Sequence, residues 1–388
     1  MAYNFDHIPN RRRSDAHKWT HYPQDVLPLW VADMDFPAPG PILDAVHRAV
    51  DHGVLGYEVP SIALQETVAA RMDDLYAWKV RPEWVLTVTG IVNGFNVAAR
   101  ALGSPKKGYL VQPPVFNEFH EVKNNVQIPQ LDAPLVKTVQ GNILHYEVDW
   151  DIFRKQVRKA GMFLLCNPHN PLGIVFSRRD LKKMAELCLE NDVLIVSDEI
   201  HSELLLGEQK FTPIAKLSRE VAKRTVTLIA ASKAFNVPGL FCGFAIIPDP
   251  ELRERYSNMV RNLRIHANSF GLRAAQVAFS GRCDGWLRAL RRYLKGNRDF
   301  LVDYVTQNMP GVRITVPEAT YLAWLDFTQL DLEESPFDFF LKKAKVALSD
   351  GAIFGEPGKG HVRLNFGTSR TILRQALERM RKAIRSVS

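Results

Sequence analysis

Several short runs in this chain of 388 residues put a side chain able to do chemistry where an apolar segment stops. The run Thr225 to Ala231 ends at Ser232, and Lys233 follows at once. A solvated lysine needs no such setting. A lysine used as a nucleophile does, because desolvation lowers its pKa and frees its amine. After residues 193–197 (VLIVS) stand Asp198 and, three positions on, His201. A buried carboxylate there needs a partner, and a cationic ring nitrogen would serve. After 162–166 (MFLLC) comes NPHNPLG, whose two Asn-Pro pairs fix a tight turn and aim the Asn170 amide inward. Near the C-terminus, Arg363 lies inside the apolar pattern HVRLNF, where a guanidinium must pair, and a carboxylate held by two prongs fits best.

Two further places complete the set. Gly90-Ile91-Val92 turns from VLTVT into the helical FNVAARAL, and a glycine turn opening a helix exposes backbone N–H groups to a phosphate. Phe116 follows GYLVQ and Pro113-Pro114, where an aromatic could stack on a planar ring. Each alone has a plain structural reading: a turn, a core aromatic, a capping aspartate, an internal salt bridge. Together they describe one ligand, pyridoxal 5′-phosphate (PLP): a phosphate cradle, a stacking ring, an amide for a phenolate oxygen, an acid for a pyridinium, and a lysine that bonds the carbonyl carbon.

The elements that position these residues are short apolar strands alternating with helices. Strands are predicted at 85–89, 108–112, 126–130, 162–166, 193–197, 225–230 and 243–247. Several lack alternation, as strands covered on both faces do. Ser177 starts a helix, with Asp180 at the capping-box position and Leu181, Met184, Leu187 and Cys188 as its buried stripe. This is an α/β pattern with a mostly parallel sheet, in which ligands sit at the carboxyl ends of the strands. From about residue 270 a long helical region leads to a second unit with strands near VRITV, YLAWLDF and HVRLNF. The expected division is an N-terminal segment, 1–40, packing on the smaller domain, a large cofactor-binding domain, 41–280, and a small domain, 281–388.

Composition narrows the function classes. A hydrophobic content of 46% is ample for a sizeable core, and no apolar run approaches a membrane span. The N-terminus has no apolar secretion signal. Four scattered cysteines, without metal-ligand spacing, suit a reduced, cytoplasmic protein. The net charge of +8 permits nucleic-acid contact without arguing for it, because the basic residues are spread over amphipathic helices. Their one dense cluster is Arg11-Arg12-Arg13. Neither nucleic acid nor membrane is expected as a partner, and no metal.

The runs LPLWVADMDFPAP, NPHNPLG, SDEIHSEL, SKAFNVPGL and VRLNFGTSR carry a resemblance over nearly the whole chain. The sequence resembles fold-type I PLP-dependent enzymes of the class I/II aminotransferase superfamily, and more narrowly the cystathionine β-lyase-like C–S lyases of the MalY/PatB type. The resemblance implies a mostly parallel seven-stranded sheet in a large domain plus a smaller α/β domain, and a homodimer with shared active sites. It implies that Lys233 holds PLP covalently and then acts as the base at the substrate Cα. Asp198 would keep the pyridine nitrogen protonated. Asn170 would bond the ring oxygen, next to the substrate, with His201 where many aminotransferases carry tyrosine. Phe116 would stack on the ring, and Gly90, Ile91, Val92 and Ser232 would hold the phosphate. Tyr57 would reach the phosphate from the neighbouring subunit and complete the catalytic set with Lys233 and Asp198. Arg363 would clamp the substrate carboxylate, with the Ala32 backbone close by. Phe241 departs from the pattern, since many aminotransferases carry a phosphate-binding arginine there. The implied reaction is α,β-elimination from an amino-acid thioether. Transamination is the alternative, and a non-catalytic PLP-binding regulator a further one.

Overall fold

The computed structural model describes residues 3–386. The outermost residues of the expected first and last domains, 1–2 and 387–388, lie outside the described residues. In chain order the strands are β1 (Leu27–Pro28), β2 (Val85–Val88), β3 (Gly108–Val111), β4 (Gln130–Asp132), β5 (Leu135–Gln140), β6 (Ile143–Val148), β7 (Ala160–Cys166), β8 (Leu194–Asp198), β9 (Thr225–Ile229), β10 (Gly243–Ile246), β11 (Arg313–Thr315), β12 (Leu322–Asp326), β13 (Val346–Ala347), β14 (Ser349–Asp350) and β15 (His361–Asn365).

Seven of these form one sheet in the order β2-β10-β9-β8-β7-β3-β4. Its pairs are parallel from β4 through β3, β7 and β8 to β9. β10 runs antiparallel to both β9 and β2. Strands β3, β8, β9 and β10 are buried at every position. Side chains alternate across the sheet, so both faces must be covered. Leu164 and Val196 enter one apolar cluster, and Phe163, Leu165 and Ile195 enter another.

One expected element is corrected, and one detail of another. The strand expected at 126–130 is only β4, which starts at Gln130. Val126 instead ends the helix Asn117–Val126, and Gln127 closes that helix with φ 57°. In the helix Arg178–Glu190, Ser177 Oγ accepts from Asp180 N at 3.1 Å, as its cap pattern predicts. Leu181, Met184, Ala185 and Cys188 are its buried residues, and Leu187 is half-buried.

A second sheet has the order β14-β15-β12-β11-β6-β5. Its strands β5 and β6 come from residues 135–148, inside the span 41–280, and β11 pairs in parallel with β6, Ile314 beside Ile143. The N-terminal segment joins this side: β1 pairs with β13, and Asn365 N donates to Leu29 O at 2.9 Å. Two members of its basic cluster are engaged internally. Arg11 Nη1 reaches Asp35 Oδ1 at 2.8 Å, and Arg12 Nη2 donates to Val26 O at 2.8 Å. Among the described residues no helix is long and apolar enough to cross a membrane. All four cysteines are free and buried.

Candidate active site

Because β7, β8 and β9 run parallel, their carboxyl ends share one edge of the sheet, and Cys166, Asp198 and the turn bearing Lys233 meet there. A cavity of about 220 Å³ opens at this edge. Gly90, Ile91, Val92, Phe116, Asn170, Asp198, His201, Ser232, Lys233 and Ala32 all line it. Ten of the twelve sequence-predicted site residues therefore converge. Arg363 adjoins them through Asn170, and Tyr57 stands apart.

Lys233 lies on a single helical turn, Ala231–Ala234, which begins directly after β9. The surrounding protein strips water from its amine, and burial, with Arg363 nearby, lowers its pKa to about 8 against the pull of Asp33 and Asp198. Its Nζ donates to Ala32 O at 2.7 Å.

Asp198, the last residue of β8, is 4% exposed. It accepts one backbone hydrogen bond, from Ile200 N at 3.1 Å. Burial pushes its carboxyl up to about 7, outweighing that hydrogen bond and the charge of Lys233. A carboxylate so placed lacks a cation of its own, and a protonated ring nitrogen in the cavity would supply one. His201 is buried too, and burial together with Lys233 and Arg363 holds its pKa well below the usual range, so the ring is neutral. Its Nδ1 has no hydrogen-bond partner among the described residues.

Arg363, at the centre of β15, is 6% exposed. Its Nη1 donates to Asn170 Oδ1, and its Nη2 donates to Trp30 O at 2.9 Å and Ser349 Oγ at 3.0 Å. Its Cζ stands 5.0 Å over the Phe354 ring. Among the described residues no acidic side chain pairs with it, and its Nε is buried without a partner. Burial lowers its pKa to about 10, which leaves it charged at neutral pH. An internal salt bridge is therefore not its role, and a cation held this way waits for an external anion.

Gly90 caps the helix Ile91–Leu102 with φ 150°, a conformation that favours glycine, and it has no side chain to occupy the first N–H groups. That helix end faces the cavity. Phe116 and Ser232, both half-buried, line the same space. Phe241 also lines it, 63% exposed, with φ 43°. Tyr57 is fully exposed, in a stretch with exposed Val54, Leu55 and Val59.

Two residues escaped the sequence reading. Glu199, directly after Asp198, is buried against Ser197 Oγ at 2.9 Å, and burial raises its carboxyl to about 8. The Asp-Glu pair at a strand end was its signal. Tyr321 donates to Ala32 O at 2.8 Å, beside Lys233. Nothing in YLAWLDF distinguishes it from a core aromatic.

The donor set fits PLP: an unpaired buried acid, a dried amine, a neutral imidazole with a free nitrogen, an amide, and a helix end open to phosphate. Together, this fold and this site define a pyridoxal-phosphate-type scaffold, and comparison with known proteins agrees. Residues 25–380 match the family model of aminotransferase class I and II, and the chain belongs to that family. It is 37% identical to cystathionine β-lyase PatB of Bacillus subtilis, over 98% of this chain and all of that one. The PLP-bound C–S lyase from Staphylococcus hominis superposes with a TM-score of 0.91 at 29% identity, covering 99% of this chain and 98% of that one. Cystalysin from Treponema denticola, which contains a pyridoxal 5′-phosphate cofactor, superposes with a TM-score of 0.94 at 27% identity over the whole of both chains.

Proposed function

We propose that this chain is a PLP-dependent C–S β-lyase that converts L-cystathionine or a related cysteine thioether to pyruvate, ammonia and a thiol. The observation that carries the reading is a desolvated Lys233 amine lining the cavity, with a buried Arg363 that has no acidic partner among the described residues adjoining it through Asn170. The relatives named above support the choice of lyase chemistry.

PLP, when bound, draws electrons from the substrate Cα and makes its proton acidic. The protein's residues do the rest. Arg363 binds the α-carboxylate with two prongs and so fixes the direction of the Cα–H bond. Lys233, whose pKa burial lowers to about 8, accepts that proton in its neutral form. Asp198 would balance a protonated ring nitrogen, Asn170 and His201 would hold the ring oxygen, and Phe116 would pack on the ring. Gly90, Ile91, Val92 and Ser232 would hold the phosphate, and Tyr57 of the partner subunit would add a hydroxyl to it in a homodimer. A sulfur at Cβ then departs as a thiolate, a stable anion.

The test is direct. Purified, PLP-loaded protein is incubated with L-cystathionine, and pyruvate is followed by a coupled dehydrogenase. Pyruvate release at a rate that scales with enzyme is expected. Amino-group exchange with 2-oxo acids, with no pyruvate from any cysteine thioether, would replace the lyase reading by an aminotransferase one.

A further inference from the structure

Two donors meet on one backbone oxygen beside the cofactor site. Lys233 Nζ donates to Ala32 O at 2.7 Å, and Tyr321 Oη donates to the same atom at 2.8 Å. A carbonyl oxygen has two lone pairs, so both are engaged. Tyr321 is 1% exposed, and a hydroxyl that deep requires an acceptor.

The chain on either side is built to keep this arrangement. Thr320, just before the tyrosine, is fully buried with φ 71°. For a β-branched residue that conformation is an outlier, and such strain persists only where the surroundings over-determine it. Here Thr320 N donates to Leu204 O at 2.9 Å, Leu322 N to Thr320 Oγ1 at 3.0 Å, and Phe366 N to Tyr321 O at 2.8 Å. The segment bearing Ala32 is equally fixed. Asn365 Nδ2 donates to Val31 O and to Asp33 O, each at 2.6 Å, and Met34 N donates to Asn236 Oδ1 at 2.9 Å. Ala32 O can therefore move little.

We propose that Tyr321 is a positioning residue for Lys233: it fixes the Ala32 carbonyl as the resting acceptor of the freed lysine amine and, by occupying one lone pair, weakens that carbonyl's hold on the ammonium form. The proposal rests on Lys233 being the cofactor lysine. In each cycle that lysine must leave the cofactor and wait, in a dry site, as a usable base. An acceptor is needed to hold it, and an acceptor that grips too well would keep it protonated. The charged and titratable groups facing Lys233 are Arg363 from β15, Asp33 from the N-terminal segment, Asp198 at the end of β8 and His201 in the turn after it. Arg363 disfavours the ammonium, and Asp33 and Asp198 favour it. Tyr321 carries no charge and acts through the shared acceptor.

The test uses the full chain stripped of cofactor. PLP is added across a pH series, and the rate of covalent attachment to Lys233 is followed by absorbance, with the site checked by borohydride reduction and peptide mass. In Tyr321→Phe, Ala32 O is left entirely to Lys233, so the pH profile should move up by about half to one unit, slowing attachment at neutral pH by roughly three- to tenfold. With 3-fluorotyrosine introduced at position 321, a stronger donor of nearly the same shape, the profile should move down. Thermal melts report folding separately. A Tyr321→Phe profile that superimposes on wild type overturns the proposal, whatever its stability. If Tyr321→Phe does not fold, the fluorotyrosine protein decides: an unmoved or raised profile overturns it. Failure of the wild-type chain to attach PLP at Lys233 would instead remove the cofactor reading itself, and this inference with it.

Discussion

Arg363 Nη1 donates to Asn170 Oδ1 at 3.1 Å, which ties together two residues 193 positions apart in the chain. One comes from the middle of β15 in the six-stranded sheet, the other from the turn after β7 in the seven-stranded sheet. The contact thus couples the group that would take the substrate carboxylate to the amide that would face the cofactor ring. Replacing Arg363 by Lys keeps the charge but not the planar fork. Loss of one hydrogen bond to a charged group costs about 1.5–3 kcal/mol. Steady-state kinetics on L-cystathionine should show kcat/KM down by roughly ten- to a hundredfold or more. A ratio within twofold of wild type would remove Arg363 from substrate binding.

Lys233 should carry the cofactor. Borohydride reduction of the loaded protein is expected to fix the cofactor mass on the peptide containing Lys233 and on no other. Lys233→Ala should lose turnover entirely while still retaining PLP non-covalently, as read by absorbance after gel filtration. Mass at a different lysine would reassign the site.

The desolvation of Lys233 also sets a stability test. The folded-state pKa, about 8, lies below lysine's ordinary value of 10.5. The cost of burying the ammonium is therefore complete below pH 8 and fades as pH rises toward the unfolded value. Lys233→Met removes the buried amine. In cofactor-free protein it should melt higher than wild type at pH 7, and the gap should shrink between about pH 8 and 10.5. Loss of the attraction to Asp198 works the other way, but burial is the largest cause of the shift. A gap that stays constant across that range would show that the amine is not desolvated.

Under the proposed function Tyr57 would contribute only in a pair. It is fully exposed in the isolated chain, with Val54, Leu55, Val59 and Ile62 exposed nearby. Sedimentation should give a dimer. Tyr57→Phe should weaken PLP binding by about 1.5–3 kcal/mol, the value of a hydrogen bond to an anion. Phe241 supplies no charge to offset the loss. A monomer with full activity would contradict both the dimer and the role of Tyr57.

Much of the site was legible because it sits where strands stop. An apolar run reports a buried strand, and a polar residue directly after it must be at the sheet edge, whatever the tertiary details. Asp198, Asn170 and Lys233 were found this way. Where the signal depends on neighbours brought in from far along the chain, the sequence was silent. Tyr321 reads as one more core aromatic until Ala32 is seen beside it. No strand is predicted over residues 135–148, which fall in the expected large domain; only the pairing of β6 with β11 joins the β5–β6 hairpin to the other sheet. Val126 continued an apolar pattern that a left-handed Gln127 breaks, and a side chain such as glutamine gives little notice of that conformation.

The pairing of β6 with β11 also has a consequence in time. The β5–β6 hairpin leaves the ribosome early, yet the strand that completes its inner edge, β11, begins 165 residues after β6 ends, and β12 and β15 follow later still. Throughout that interval the hairpin presents an unpaired edge, the kind of surface that captures strands from other chains. Non-local pairing of this sort is slow to form and leaves an intermediate open to aggregation. Synthesis of this protein therefore passes through a long vulnerable stage that ends only when its last strands emerge, and the yield of folded chain should respond to translation speed and chaperone supply more than the stability of the finished molecule would suggest.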